Sequence, residues 1–316
     1  MTPVTSSSGA TLAAEVSASL RSVIHGKPEA VDVVTIGLLA EGSILIDDIP
    51  GVGKTTLAKA LARSIDARFG RIQFTPDLLP AEVLGSSVYN PVTGAFDFRK
   101  GPIFCNILLA DEINRASPRT QSALLEAMNE RQATVEGTRF ALPRPFMVLA
   151  TQNPIEFLGT YPLPEAQLDR FMIALTMGYP EPDVETEIVA SRVRRDPLDA
   201  LRPVVTAEQV TSMQKEVTMI HAERAIWRYV VDIARATRED PRIQLPVSPR
   251  GCIMLARAAQ AAAFAAGRDY CLPDDVQRMA AYVLSHRIVL APKSRYEGTG
   301  GRQVIADILG RVSVPT

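Results

Sequence analysis

The sequence predicts an α/β protein with a parallel five-stranded sheet and two hairpin insertions, followed by a small all-α domain. Short apolar strands alternate with helices between residues 43 and 177, which indicates a parallel sheet covered on both faces. The turn-forming segment Gly178–Pro182 ends this alternation, and helical patterns follow it. The expected parts are a tail and helix over residues 1–20, the α/β core over 21–178 and the helical domain over 183–316.

The individual elements follow from the spacing of apolar residues. Residues 1–10 are predicted to be disordered, and apolar residues from Leu12 to Ile24, mostly three or four apart, predict an amphipathic helix. The predicted sheet strands are Ile44–Ile46, Ile72–Phe74, Ile107–Ala110, Met147–Ala150 and Ile173–Met177. The helices predicted for the C-terminal domain are Ala207–Val217, Ala222–Thr237, Arg250–Ala266 and Pro273–Ile288.

Two hairpin patterns interrupt the core, and each consists of short strands flanking a glycine-containing turn. The first pairs Ser87–Tyr89 with Ala95–Phe98. The second pairs Gln132–Val135 with Arg139–Leu142. An insertion at the edge of a domain is either functional or neutral, and the pattern alone does not distinguish the two.

A glycine-rich loop with a lysine follows the first predicted strand and leads into a predicted helix, Lys54–Ser64. Gly51 and Gly53 allow backbone N–H groups to face a phosphate, and the helix directs its positive end toward the same place. Lys54 adds a full charge, and the Thr55 hydroxyl suits Mg²⁺ bound to β/γ-phosphates. The loop therefore predicts a nucleotide-phosphate site formed by Pro50, Gly51, Val52, Gly53, Lys54, Thr55 and Thr56.

One position departs from the usual pattern of such loops. A glycine is expected five residues before Gly53, and this chain has Asp48 there. Because aspartate tolerates left-handed backbone angles better than most residues, we expect Asp48 to preserve the turn in that conformation.

A second segment, Asn106–Glu112, predicts a buried strand that ends in two adjacent carboxylates. Ligands bind at the carboxyl ends of strands in open α/β sheets. Asp111 suits a Mg²⁺-associated acceptor, and Glu112 can polarise a water toward the γ-phosphate. We therefore predict separate residues for nucleotide binding and for hydrolysis.

Several further segments, in order, resemble the MoxR family of AAA+ ATPases. The resemblance extends from about Val23 to about Leu309. It is carried by segments 111–116, 150–154 (ending in Asn153-Pro154), 159–171 (beginning at Gly159) and 248–250. It implies a P-loop NTPase core of the AAA+ type, a helical lid, ATP and Mg²⁺ as cofactors, and hairpins that line a pore or face a substrate.

The resemblance also implies roles for single residues. Val23 and Ile24, with His25, correspond to a turn that contacts adenine, although apolar residues at such a position also simply pack. Asn153 corresponds to sensor 1, whose amide holds the attacking water. Arg170 corresponds to an arginine finger given to the neighbouring subunit, although an arginine here could also pair with Asp169 or another surface acid. Arg250 corresponds to sensor 2, acting within the subunit or across the interface.

Bulk properties exclude few functions but constrain the partners. The 34 Lys and Arg against 35 Asp and Glu give a net charge of −1, so no global field attracts nucleic acid or an anionic membrane. The three cysteines share no metal-type spacing, which favours a reducing compartment without disulfides. No apolar run approaches the about 20 residues of a membrane span. We expect a cytoplasmic protein without membrane insertion.

These observations favour a ring-forming ATPase, expected to be a hexamer, that remodels or matures a protein client. By resemblance, a protein with a von Willebrand factor A domain is the expected partner, and metal-cofactor insertion is a related activity. The alternatives are a DNA-dependent motor and a nucleotide-gated scaffold with little turnover. Segment 86–98 contains no Lys or Arg, which disfavours nucleic acid as a partner.

Overall fold

A computed structural model describes residues 8–153, 160–193 and 196–315. Its strands are β1 (Ile44–Asp47), β2 (Phe69–Gln73), β3 (Gly85–Asn90), β4 (Ala95–Lys100), β5 (Ile107–Asp111), β6 (Gln132–Val135), β7 (Thr138–Ala141), β8 (Met147–Gln152), β9 (Ile173–Leu175), β10 (Ile243–Leu245) and β11 (Val289–Leu290).

The helices before the lid are α1 (Ser8–Arg21), α2 (Pro28–Leu39), α3 (Lys54–Ser64), α4 (Pro80–Leu84), α5 (Pro118–Glu130) and α6 (Glu165–Leu168). Those that follow are α7 (Pro182–Arg192), α8 (Pro197–Ala200), α9 (Ala207–Val217), α10 (Arg224–Glu239), α11 (Pro249–Ala265), α12 (Pro273–Leu284), α13 (Pro292–Tyr296) and α14 (Gly301–Leu309). Short 3-10 turns cover Ile113–Arg115 and Ser285–Arg287. None of the described helices is both long and apolar enough to cross a lipid bilayer.

The central sheet is parallel and five-stranded, with the order β2-β5-β8-β1-β9, which confirms the predicted fold class. The register places Asp47 beside Gln152 and Gln73 beside Asp111. Because all five strands run the same way, the ends of β1, β2, β5 and β8 lie along one edge of the sheet. This edge is where the predicted site residues meet.

Alternation along the strands distributes apolar side chains to two cores, one on each face of the sheet. Ile107 and Leu109 belong to the core that continues into the lid, whereas Leu108 and Ala110 belong to the core beneath the hairpins. These four side chains are fully buried. Continuous apolar runs of this kind are typical of parallel strands covered on both faces.

Both predicted hairpins form and contact each other. β3 pairs antiparallel with β4, and β6 pairs antiparallel with β7. The rings of Phe98 and Phe140 stack with their centroids 4.0 Å apart. Ser87 Oγ donates a hydrogen bond of 2.8 Å to Glu136. The two insertions therefore form one continuous surface feature above the core.

Several helices begin at a proline, because a proline at the first position needs no backbone N–H partner there. This explains why α11 begins at Pro249, one residue before the predicted start, with Ser248 Oγ accepting a 3.2 Å hydrogen bond from Gly251 N.

α1 begins at Ser8, so the prediction of disorder is wrong for residues 8–10, and residues 1–7 lie outside the described chain.

The lid is helical, with one departure from the all-α prediction. β10 and β11 form a short antiparallel ribbon in which Ile243 lies opposite Leu290. Strands of two or three residues are too short to produce a recognisable period in the sequence. α12 ends at Leu284 rather than Ile288, because the chain continues in a 3-10 turn. This turn contains the buried residue Arg287.

Candidate active site

A cavity of about 290 Å³ opens at the carboxyl edge of the sheet. Its lining combines the glycine-rich loop with residues that follow β5 and β8. The lining residues are Pro50, Gly51, Gly53, Lys54, Thr55, Thr56, Asp111, Glu112 and Asn153. The structure therefore brings together most of the predicted phosphate, magnesium and water-positioning residues, which are up to about 100 positions apart in the chain.

The loop adopts a conformation that favours glycine at two positions. The φ angles of Gly51 and Gly53 are 88° and 96°, both in the left-handed region. A methyl group at either position would meet no atom within 4 Å, so the backbone angle and not crowding favours glycine. α3 begins directly after Gly53, and the first N–H groups of a helix have no partner within the helix. The loop thus presents backbone donors next to open space.

Lys54 is half-buried within this loop. Its Nζ donates a 2.6 Å hydrogen bond to the backbone oxygen of Asp48. Burial lowers the pKa of Lys54, while the nearby charges of Asp48, Asp111 and Glu112 act in the opposite direction. The ammonium group therefore lies within electrostatic reach of both carboxylates at the end of β5.

The prediction of a left-handed backbone at Asp48 is wrong, because Asp48 is not among the described residues with positive φ. Its buried carboxylate instead accepts hydrogen bonds from Met177 N at 2.6 Å and Gly178 N at 2.7 Å. Asp48 thus attaches the start of the loop to the segment after β9. A glycine could not make these two bonds, which explains the side chain at this position.

Asp111 is held by two donors from neighbouring strands. Thr151 Oγ1 donates to Oδ1 at 2.7 Å, and Arg71 donates to Oδ2 at 2.7 Å. The Thr151 hydroxyl also accepts the backbone N–H of Glu112 at 2.9 Å. The carboxylate is therefore oriented by β2 and β8 before any ligand binds. A carboxylate has about four lone-pair sites, so these bonds leave capacity for a further contact.

Glu112 has a left-handed backbone, with φ of 56°, which is uncommon outside glycine and frequent at functional sites. Its Oε2 accepts hydrogen bonds from Gln73 Nε2 at 2.9 Å and from Arg115 at 3.1 Å. Arg71 and Gln73 lie two residues apart on β2, so their side chains project from the same face of the strand. One edge strand therefore contacts both carboxylates.

Sequence reasoning missed Arg71, Gln73 and Thr151 as parts of this site. Arg71 and Gln73 are polar residues two apart in β2, and this spacing indicates that they project to one face of the strand. Assigning them to the site requires knowing that β2 pairs with β5, and the local sequence pattern does not encode strand order.

Other predicted residues do not line this cavity. Val23 and Ile24 are 4% and 7% exposed and pack in the main core, and Val52 packs against it. Arg250 donates a 2.6 Å hydrogen bond to Asn129 on α5. Arg170 follows α6 and is partly exposed. None of these residues is among those that line the cavity.

Two residues quoted for the family resemblance, Pro154 and Gly159, lie outside the described residues. Asn153, just before this gap, is 7% exposed and contributes to the cavity. Its placement one residue after β8 is as expected for the proposed water-holding amide.

Comparison with known families agrees with this geometry. Residues 43–173 match the family of ATPases associated with various cellular activities (AAA), and residues 235–308 match the AAA lid domain. The fold is that of an AAA+ ATPase, with a nucleotide-hydrolysing core followed by a lid.

Relatives of similar length show which family of AAA+ ATPases the chain belongs to. The chain is 49% identical to the YeaC protein of Bacillus subtilis, over 94% of this chain and 92% of that protein. It is 38% identical to the chaperone MoxR1 of Mycobacterium tuberculosis, over 94% and 80%. The crystal structure of a candidate ATPase from Cytophaga hutchinsonii superimposes with a TM-score of 0.90 at 37% identity, covering 98% and 96%. The chain belongs to the MoxR family.

Proposed function

We propose that this protein is a Mg²⁺-dependent, ring-forming ATPase that uses ATP binding and hydrolysis to remodel or mature a protein client. The observation that carries the proposal is the convergence of Lys54, Thr55, Asp111, Glu112 and Asn153 on one cavity. Binding groups and a candidate base thus face the same space. The relative named chaperone MoxR1 supports a protein client.

In this proposal Lys54 and the loop N–H groups bind the β- and γ-phosphates, and Val23 and Ile24 contact the adenine. Glu112 accepts a proton from the attacking water, which the Asn153 amide holds in place. Gln73 and Arg115 keep the Glu112 carboxylate in a defined orientation through the two bonds to Oε2. A preoriented acceptor loses less freedom when the substrate binds.

The donor set fits Mg²⁺, which usually binds proteins through one or two carboxylates and otherwise keeps water and substrate phosphate. Thr55 and Asp111 would hold the ion, and both line the cavity. Bound Mg²⁺ neutralises charge on the phosphates during transfer. Asp111 is already ordered by Thr151 and Arg71, so its carboxylate can receive the ion without rearranging the strand.

The ring is part of the proposal because Arg170 lies outside the cavity of its own subunit. Asp169, the acid next to it, is paired with Arg287 at 2.9 Å and is not a partner for Arg170. We infer that Arg170 acts on the nucleotide of the next subunit and that Arg250 couples the lid to nucleotide binding. A hexameric ring, a von Willebrand factor A partner and a cytoplasmic location complete the proposal.

The first test concerns the phosphate loop. Lys54→Ala is expected to abolish measurable ATP binding, because Lys54 carries the only full positive charge among the described residues that line the cavity. Isothermal titration calorimetry measures this directly. Lys59→Ala is a matched control, since Lys59 lies on the same helix and is exposed. Unchanged ATP affinity in the Lys54 variant would refute the proposed phosphate site.

The second test concerns the client class. The tip of the first hairpin exposes Tyr89, Val92 and Phe96, which are 55%, 92% and 71% exposed. Tyr89 and Phe96 contact edge to face with centroids 5.5 Å apart. An apolar tip without cations suits a polypeptide better than a phosphate backbone.

We therefore expect that neither single- nor double-stranded DNA stimulates ATP hydrolysis at near-physiological salt. Phosphate release measured with and without DNA over a salt series tests this. Stimulation that falls steeply as salt rises would favour the DNA-dependent motor instead.

A further inference from the structure

A buried arginine of the lid, Arg287, contacts the segment that contains Arg170. Its side chain is 1% exposed and lies in the 3-10 turn after α12. The guanidinium donates to Asp169 Oδ1 at 2.9 Å and to the backbone oxygens of Asp169 at 3.2 Å, Phe171 at 2.5 Å and Met172 at 3.2 Å. These acceptors belong to Asp169, which directly precedes Arg170, and to the two residues that follow it, Phe171 and Met172.

Arg170 itself has few constraints of its own. Within the described chain, its side chain makes no hydrogen bond or ion pair, and its backbone N–H donates to Gln167 at 3.1 Å. The direction in which its guanidinium projects therefore depends on the backbone of residues 169–172. Arg287 holds that backbone at three carbonyl groups, in addition to the core contacts made by the buried Phe171 side chain and by Met172 N, which donates to Ser43 O at 2.9 Å.

A second part of the lid reaches the same aspartate. Ser248 Oγ, at the start of α11, donates to Asp169 Oδ2 at 3.3 Å. Gly251, in the first turn of that helix, allows Arg287 to pass closely, since a methyl there would lie 3.1 Å from Arg287 Cδ. Arg250 lies in the same turn, directly before Gly251. The lid therefore binds Asp169 through two elements that are packed together.

Burying this charge is costly, which makes a role in simple stabilisation a weak explanation. Desolvation lowers the pKa of Arg287 to about 10, and the Asp169 carboxylate acts in the opposite direction. Buried ion pairs contribute little net stability compared with apolar residues of the same volume, although breaking one is destabilising. Such a pair instead fixes one geometry, here between the lid and residues 169–172.

We propose that Arg287 is a positioning residue for Arg170, through which the lid fixes the backbone on both sides of the proposed finger. The proposal rests on the trans role of Arg170 proposed above. Through these contacts the position of the lid acts on the backbone of Asp169, Phe171 and Met172. The direction of the Arg170 side chain offered to the neighbouring subunit therefore depends on the lid of the subunit that carries it, and through the lid on the nucleotide of that subunit.

The test uses rings mixed from two kinds of full-length subunit. Donor subunits carry Lys54→Ala and keep the finger, whereas acceptor subunits carry Arg170→Ala and keep the phosphate loop. Adding Arg287→Lys to the donor is expected to reduce recovered ATP hydrolysis by about 10- to 100-fold, the scale expected from a misplaced group. Lysine keeps the charge and loses the planar fork that reaches several acceptors.

A matched control is Arg242→Lys in the donor, which makes the same substitution at another lid arginine. Arg242 pairs with Asp240 at 2.9 Å and Asp307 at 2.6 Å, both within the lid. This donor is expected to restore as much hydrolysis as the simple donor. If Arg287→Lys does not fold, Asp169→Asn in the donor tests the same contact and is expected to reduce recovery.

Placing Arg287→Lys in either the donor or the acceptor subunit distinguishes a positioning role for Arg287 from a general role in stability. Arg287→Lys in the donor is expected to reduce recovery far more than the same change in the acceptor, whose finger is already absent. Equal losses in the two placements would overturn the positioning role, as would full recovery with the Arg287→Lys donor. No recovery with the simple donor, in rings shown by native mass spectrometry to be mixed, would overturn the trans role of Arg170 as well.

Discussion

Arg170→Ala is expected to bind ATP with unchanged affinity and to hydrolyse it about 10³- to 10⁵-fold more slowly, the range measured for arginine fingers. Affinity is expected to be unchanged because Arg170 does not line the cavity of its own subunit, so its removal leaves the residues that bind ATP intact. An arginine that reaches the transferring phosphoryl group from outside stabilises the transition state and not the bound ground state. Calorimetry and steady-state phosphate release measure the two quantities separately.

Mixing Arg170→Ala with Lys54→Ala subunits decides whether the finger acts in trans. Each pure ring is expected to be nearly inactive. With random equimolar assembly in a head-to-tail ring, about one interface in four pairs an intact phosphate loop with an intact finger. Partial activity should therefore return. The control replaces Arg170→Ala with Arg235→Ala, because Arg235 is exposed on α10 and has no proposed role in hydrolysis. Mixed rings that stay inactive would leave Arg170 as a structural residue.

Glu112→Gln is expected to retain ATP and Mg²⁺ affinity and to lose turnover by about 10²- to 10⁴-fold, the usual contribution of a general base. Glutamine keeps an oxygen that can accept the hydrogen bonds now made by Gln73 and Arg115. It loses the negative charge that attracts the proton of the attacking water. The fold and the phosphate loop are therefore preserved while the chemical step is removed.

This variant also provides a means of identifying partners, because an ATPase that binds and does not hydrolyse holds its closed state. Affinity purification with Glu112→Gln should enrich a client or a von Willebrand factor A protein compared with wild type. Glu239→Gln, an exposed substitution at the end of α10, is the matched control. Wild-type turnover in the Glu112 variant would exclude Glu112 as the base and favour another acceptor.

Some predicted roles remain predictions after the structure is known. Val23 and Ile24 are buried in the core, as apolar residues at a helix end usually are, and their contact with adenine stays a prediction. Arg250 donates a hydrogen bond to Asn129, and its action as sensor 2, within the subunit or across the interface, also stays a prediction.

The sequence by itself was enough for the parallel sheet, the two hairpins, the phosphate loop and the carboxylate pair. Each of these depends on a local signal: apolar runs, turn residues between short strands, and glycine and lysine at fixed offsets. α3 spans Lys54–Ser64 as predicted, and four of the five sheet strands coincide with the predicted apolar runs, whereas β2 covers Phe69–Gln73 and overlaps the predicted Ile72–Phe74 by two residues. Structure formed within about ten residues depends on backbone preference and on the periodicity of apolar residues, and both can be read directly from the sequence.

Tertiary structure alone decided which side chains orient these groups. Asp48 holds Met177 and Gly178 instead of supplying a left-handed turn. Arg71 and Gln73 hold the two carboxylates only because β2 is adjacent to β5. Arg287 holds Asp169 across 118 positions of the chain. Such contacts result from the order of the strands and the packing of the lid. The identity of a polar residue does not show which distant residue will be its hydrogen-bond partner.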